Sequence, residues 1–344
     1  MSQELIEWGR TKKLPAGYTD QPLIELEDVH VSFSKKSFLR PEVFIKAVDG
    51  VALKVGRGEI VGLVGESGSG KTTLGLAAIG MIKIDSGKIT LYKESSNPIE
   101  VSSAKGSSWK KLRTDLQIIF QDPFSSIDPN MKVYDALRIP LETHGVKDRA
   151  QVETRISSVF ERVGLPNDVL ESYVFQLSGG QRQRVGIARV LLFNPSFVVA
   201  DEPVSMLDVS LKGDILDIIS KIATNFRVAF LFITHEMAVA RVISDRIAVM
   251  YLGQIVEIGG ADAIIDNPLH PYTKALLQAT PNIDPSKKDS LIEVNIRGDI
   301  ASSGIDPKGC KFHARCPYVM DICLTQSPML KAKEPTHEVA CWLY

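Results

Sequence analysis

The chain has 344 residues, of which 44 % are apolar and 24 % charged, enough to bury a core of one large α/β domain or two ordinary ones. That composition excludes a disordered or fibrous protein. Lys and Arg (40) nearly balance Asp and Glu (41), which excludes a global electrostatic field for nucleic acid or acidic lipid.

Residues 1–20, beginning "MSQELIEWGRTKK", are polar and aperiodic, with no apolar core followed by a cleavage site, and read as a loose arm. No window of the chain approaches eighteen consecutive apolar residues, so the expected place is the cytoplasm, with any membrane reached through a partner. "LIELEDVHVSF" from Leu23 and "IKAVDGVALKV" from Ile45 alternate as antiparallel strands, with the proline-containing "SKKSFLRPE" as the loop between them. "EIVGLVG" runs apolar, as a buried parallel strand does. "KTTLGLAAIGMI" reads as a helix, "SGKITLY" as a strand, and "LQIIFQ" as a short strand closing on a glutamine.

From Val133 to about Tyr173 the spacing is helical, with a glycine stop between "VYDALRIPLETHG" and "VETRISSVFERVG". "FVVADEP", "VAFLFITHE" and "RIAVMYLG" are three further apolar strands, and the alternation of strand and helix predicts a parallel sheet covered on both faces. Beyond "DNPLHPYTKALLQATP" prolines multiply and periodicity fades. A boundary is therefore expected near Asp266, between a domain over 21–265 and an irregular extension over 266–344. No internal duplication is detectable.

"GESGSGKT", Gly65 to Thr72, matches the G-x-x-x-x-G-K-[ST] phosphate loop and lies between a strand and a helix, as the mechanism requires. The backbone around Gly65, Ser67, Gly68, Ser69 and Gly70 can turn its N–H groups around phosphate oxygens, and the helix start at Lys71, Thr72 and Thr73 adds partial positive charge. Lys71 would hold the β and γ phosphates and Thr72 would offer its hydroxyl to Mg²⁺. Asp201 of "FVVADEP" can hold Mg²⁺ through water, and Glu202 is placed to polarise an attacking water. His235, after "LFIT", can touch the γ phosphate, and Gln121 can reach Mg²⁺ and the attacking water. Phe33 ends the first strand, where an aromatic ring can stack on a purine.

A second glycine turn, "LSGGQRQR" from Leu177, lacks a lysine, and Ser178 there suits the N-cap of a helix. The phosphate loop, Gln121, "LSGGQ" at 177–181, Asp201–Glu202, "SMLD" at 205–208 and His235 stand in the order of the nucleotide-binding subunit of an ABC transporter, which the sequence resembles. The resemblance implies the P-loop ABC ATPase fold, an α/β fold with a RecA-like parallel core sheet, an antiparallel β subdomain and a helical subdomain at about 122–177. It also implies a head-to-tail dimer in which Ser178, Gly179, Gly180 and Gln181 grip the ATP of the facing subunit, with Asp208 at the dimer seam. Met206 stands where that family usually has alanine.

"QDPFSSIDPNMKVYDAL", "HPYTKALLQATP" and the tail "GCKFHARCP" further resemble the ATPase subunits of dipeptide and oligopeptide importers. "LSGGQRQRVGIAR" is nearer the second member of the paired ATPases. The implied partners are a second related ATPase in a heterodimer, two permeases and an extracytoplasmic substrate-binding protein, with this chain peripheral on the cytoplasmic face of the membrane. Oligosaccharide or metal-ion cargo is the alternative within that class.

Cys310, Cys316, Cys323 and Cys341 are the only cysteines, spaced C-x₅-C-x₆-C-x₁₇-C, which fits no common paired C-x₂-C zinc pattern. Crowded cysteines in a reducing compartment favour metal ligation over disulfides. The resemblance implies a [4Fe–4S] cluster on these four, with zinc, or disulfides or free thiols, as alternatives; His313 and His337 are read as exposed tail histidines and set aside. Two other readings stand beside the importer. One is a soluble ABC ATPase acting on nucleic acid or the ribosome, opposed by the single cassette and the absence of basic excess. The other is a nucleotide-binding redox regulator, opposed by the intact Asp201 and Glu202.

Overall fold

The computed structural model describes residues 22–37, 40–93, 97–122, 127–279 and 308–344, so the arm expected over 1–20 lies outside the described residues. The chain divides into two compact units. The first comprises Met1–Gly56, Ile60–Ser103 and Phe232–Tyr344, and the second Arg57–Glu59 and Ala104–Leu231.

In the first unit, β1 (Ile24–Ser37), β2 (Arg40–Val55), β4 (Ser86–Leu91) and β5 (Ile99–Glu100) form an antiparallel sheet in the order β2-β1-β4-β5. Much of the segment expected as a loop is strand, because the ladder continues through Ser34↔Phe44 and Lys35↔Val43 to Ser37↔Arg40. Ladder pairing outweighs the proline there, since β2 is an edge strand and an edge tolerates a missing N–H.

β3 (Ile60–Val64) is buried at every position and pairs parallel with β9 (Arg246–Tyr251), Val61 opposite Arg246 and Val64 opposite Val249. The parallel pairing expected of the apolar strands holds for this pair, and antiparallel strands that the sequence reading does not place follow it. β10 (Gln254–Gly260) runs antiparallel to β9, β12 (His337–Val339) antiparallel to β10, and β11 (Lys331–Glu334) antiparallel to β12. The physical cause of the first reversal is a two-residue connection, Leu252 at φ 42° and Gly253 at φ 84°, whose paired positive φ values match the twist of a tight hairpin.

α1 (Lys71–Ala78) is shorter than its sequence pattern. Gly80 at φ 70° ends it with two bonds, Gly80 N–H to the Ala77 carbonyl (2.9 Å) and Met81 N–H to the Leu76 carbonyl (2.8 Å), the pairing of a Schellman stop. The core of this unit gathers Val64, Met237, Ile247, Val249, Tyr251 and Ile264 with Tyr272 and Phe312. The stretch after Asp266 thus shares one core with the strands that precede it.

In the second unit β6 (Leu116–Ile119) and β7 (Phe197–Asp201) pair parallel. Among the described residues, five α-helices accompany them: α2 (Gly106–Asp115), α3 (Val133–Thr143), α4 (Arg149–Val163), α5 (Gly179–Leu191) and α6 (Val209–Phe226). α4 buries Val152, Ile156, Val159, Phe160 and Val163, the spacing of one helical face. Asp148 caps its start by accepting the Gln151 N–H (3.3 Å), and Gly164 at φ 64° ends it. α2 is not anticipated by its sequence, since "GSSWKKLRTD" offers too few apolar positions to show a period. β8 (Ala229–Thr234) carries the chain from the second unit into the first. No helix among the described residues is long and apolar enough to cross a membrane.

Candidate active site

β3 delivers the loop 65–72 and α1 begins at Lys71. A Cβ at Gly65 would stand 2.2 Å from the Met250 carbonyl oxygen, and one at Gly70 2.0 Å from that of Ala47, where φ is also 103°. Only glycine fits either position. Lys71 is buried and its Nζ donates to the carbonyls of Gly65 and Glu66, both at 2.8 Å, and lies 3.4 Å from Ser69 Oγ. Ser67, Gly68 and Thr72 are exposed and Thr73 is half-buried. Phe33 is 49 % exposed on β1, so its ring is open to a planar ligand and does not belong to the core. His235 is exposed immediately after the buried β8, where Thr234 Oγ1 accepts the Glu236 N–H (3.0 Å) and turns the chain.

The first unit also holds a contact that the motif does not reveal. Arg315 Nη1 and Nη2 donate to the two carboxylate oxygens of Glu66 at 2.8 and 3.1 Å, and the Glu66 N–H donates to Tyr272 Oη at 2.8 Å. Both partners lie in stretches that carry the importer resemblance, "HPYTKALLQATP" and "GCKFHARCP", but no sequence signal pairs positions 249 residues apart.

In the second unit the parallel register Ile119↔Ala200 sets the ends of β6 and β7 side by side. Gln121 Nε2 donates to Glu202 Oε2 at 3.1 Å, so two of the expected catalytic residues are neighbours. Asp201 is buried at the end of β7, and Glu202 follows at φ 46°, a left-handed backbone that a non-glycine residue adopts at a cost of about 1–3 kcal/mol. The Ser205 hydroxyl donates to the Glu202 carbonyl at 3.0 Å and braces that turn.

Ser178 caps α5 through its Oγ, which accepts the Gln181 N–H (3.2 Å), while Gln181 Oε1 accepts the Ser178 N–H (3.0 Å). This reciprocal box commits the Gln181 side chain to the cap. Arg182, buried, donates to the carbonyls of Val174 (3.2 Å) and Leu177 (2.9 Å) and fixes the signature turn to the segment before it, a support that the sequence reading missed. Asp208 and Met206 are exposed ahead of α6.

All four cysteines are free thiols and line one pocket with Phe312, Met320 and Trp342. Burial pushes the Cys310 thiol up to about 11 and raises Cys316 and Cys341 as well. Among the described residues no group of three or more His, Cys, Asp or Glu side chains is arranged to hold a metal ion. The four thiols nevertheless lie together around this pocket, and no disulfide joins them. The expectation of an exposed His337 is corrected: it is wholly buried, with Nε2 2.7 Å from Glu257 Oε1.

A family model described as "ABC transporter" matches residues 48–205, and one described as "Oligopeptide/dipeptide transporter, C-terminal region" matches 256–323. The oligopeptide transport ATP-binding protein AppF of Bacillus subtilis is 38 % identical over 94 % of this chain and 98 % of its own length. The chain belongs to the ABC transporter family, in its oligopeptide/dipeptide branch. The oligopeptide transport ATP-binding protein OppF of Salmonella typhimurium is 39 % identical over 93 % of this ABC protein and 95 % of itself. Among solved structures, a dimeric post-hydrolysis form of the ATP-binding cassette MJ0796 bound to ADP and Pi aligns with TM-score 0.59 at 26 % identity, covering 69 % of this chain and 98 % of that one. CbiO1 of Clostridium perfringens shares the fold, with TM-score 0.62, 24 % identity and coverage of 72 % and 91 %. The ABC match contains the phosphate loop, Gln121, the signature and Asp201–Glu202, whereas Asp208, His235 and Cys341 lie outside both matched spans.

Proposed function

We propose that this ABC transporter subunit hydrolyses MgATP at a head-to-tail interface with a related ATPase and thereby drives import of oligopeptides or dipeptides through a membrane permease pair. One observation carries the reading. A chain 38 % identical over 94 % of its length to an oligopeptide transport ATP-binding protein retains a complete phosphate loop and a Glu202 held by Gln121.

On this reading the backbone of Gly65, Ser67, Gly68, Ser69 and Gly70 and the Lys71 ammonium bind the phosphates, joined by Thr73, and Phe33 stacks on the purine. Thr72, Gln121 and Asp201 are oxygen donors of the kind Mg²⁺ takes, and they would hold it; the bound ion would neutralise phosphate charge. Glu202 takes the proton of the attacking water, kept in orientation by the Gln121 amide, and His235 holds the γ phosphate. Ser178, Gly179 and Gly180 face the partner's ATP, because the first N–H groups of α5 have no acceptor within the helix. Gln181 serves that turn through its capping bond, and Asp208 lies at the seam.

The partners on this reading are a second ATPase, two permeases and a substrate-binding protein, with the chain peripheral on the cytoplasmic face. A [4Fe–4S] cluster on Cys310, Cys316, Cys323 and Cys341 is part of the same reading, and its assembly requires buried thiols to release their protons. Iron content and visible absorbance of anaerobically purified protein test it: an iron-free, colourless sample would remove the cluster.

Glu202→Gln tests the central role. In the assembled transporter its ATP turnover is expected to fall at least about a hundredfold, the contribution of a positioned general base, while MgATP binding is retained. Turnover within twofold of wild type would take Glu202 out of that role.

A further inference from the structure

We propose that Arg315 and Tyr272, both beyond the ABC match, are positioning residues of the nucleotide site that act through Glu66 of the phosphate loop; this rests on the ATPase reading above. Each polar part of Glu66 is engaged. Its N–H donates to Tyr272 Oη (2.8 Å), its carbonyl accepts from Lys71 Nζ (2.8 Å), and its carboxylate receives both Nη groups of Arg315 (2.8 and 3.1 Å). A phosphate loop works by aiming N–H groups and positive charge at an anion, so a carboxylate at its second residue carries the wrong sign for its place. The Arg315 guanidinium cancels that charge, and its two-pronged geometry, which a lysine cannot reproduce, also fixes the direction of the side chain.

Both partners are held rigidly. The Arg315 side chain is only 10 % exposed and lies over the rings of Tyr251 and Phe312. It belongs to the turn "CKFHARC" from Cys310 to Cys316. From the same turn Phe312 enters the core against Tyr251 and Tyr272, and Lys311 binds Asp49 (2.7 Å) and the Leu252 carbonyl (2.8 Å). Tyr272 is wholly buried, so its hydroxyl has one place to be. The cysteine-bearing turn thus grips the phosphate loop at one residue, through charge on one side and through the backbone on the other.

The test is ATP hydrolysis by the assembled transporter carrying the full-length chain, with thermal unfolding of each variant as the folding control. Arg315→Gln leaves the Glu66 carboxylate uncompensated beside the triphosphate. It is expected to raise the KM for MgATP about tenfold, equivalent to about 1.4 kcal/mol, with kcat within about twofold. Adding Glu66→Gln removes the offending charge and is expected to return KM to within about threefold of wild type. A purely structural strap would not be rescued in this way, so a double variant as weak as Arg315→Gln overturns the proposal.

Should Arg315→Gln lose its fold, Arg315→Lys and Tyr272→Phe carry the test. The first keeps the charge without the fork, the second keeps the buried ring without the hydroxyl, and each is expected to raise KM at least about threefold; unchanged KM in both overturns the proposal. A wild-type complex that hydrolyses no ATP overturns the ATPase reading itself. Normal wild-type turnover with an unchanged KM in Arg315→Gln overturns this inference alone.

Discussion

His270 is wholly buried, and its Nδ1 accepts the Tyr272 N–H at 3.0 Å, which places the proton of the neutral ring on Nε2. Burial pushes its pKa down to about 4, with Glu257 pulling upward and Lys274 adding to the fall. The unfolded chain binds a proton here as pH drops through about 6.5, whereas the folded chain does not until about 4. Stability from this residue is therefore full above about pH 6.5 and lost between there and pH 4, by about 3 kcal/mol in all. Urea unfolding at pH 7 and pH 4.5 measures it: His270→Gln is expected to lose less stability across that interval than wild type, and equal losses would contradict the assignment. The neighbouring Glu257 shows why such sites escape a reading of sequence. Its Oε1 accepts from the Leu269 N–H (2.7 Å) and meets His337, and its Oε2 accepts the His270 N–H (2.9 Å), so one buried carboxylate organises groups up to 80 residues away.

On the proposed function, α5 joins two duties at its first turn. As a cap, Ser178 contributes about 1 kcal/mol, and aspartate caps as well as serine does. As a contact to a phosphate, Ser178 must be uncharged. Ser178→Asp is thus expected to melt within a few degrees of wild type but to hydrolyse ATP at least about tenfold more slowly, whereas Ser178→Ala loses about 1 kcal/mol of stability. Paired melting and turnover measurements check this, and an active Ser178→Asp would leave capping as the whole role. Elements of this kind were legible because their signals are local. "EIVGLVG", the loop 65–72, the α4 face and the Ser178 cap each lie within one turn or strand of their cause. β10 is not legible because Leu252 and Gly253 close an apolar run in the sequence, and β11 and β12 because pairing with β10 is decided by residues far along the chain.

A boundary near Asp266 marks where periodicity fades, which differs from where the core ends. β12 pairs with β10 through Glu257↔Val339 and Gly259↔His337, and the Ala340 N–H donates to the Val256 carbonyl at 2.8 Å. Tyr272 and Phe312 fill the same core as Val64, Ile247 and Val249. Ending the chain at Asp266 would remove both rings, each worth about 3–5 kcal/mol when a buried aromatic is deleted. It would also strip Glu257 of His337 and of the Leu269 and His270 N–H groups, and a buried charge left without partners costs a further 3–5 kcal/mol or so. Those losses reach the whole stability of an ordinary domain, about 5–15 kcal/mol. The cassette over 21–265 is therefore expected not to fold alone, although it spans the phosphate loop, the signature and the Asp201–Glu202 pair. Far-UV circular dichroism and limited proteolysis of a chain ending at Asp266 test this directly. Cooperative unfolding and protease resistance like those of the full chain would mean that the extension is an accessory to the ATPase rather than a part of its core.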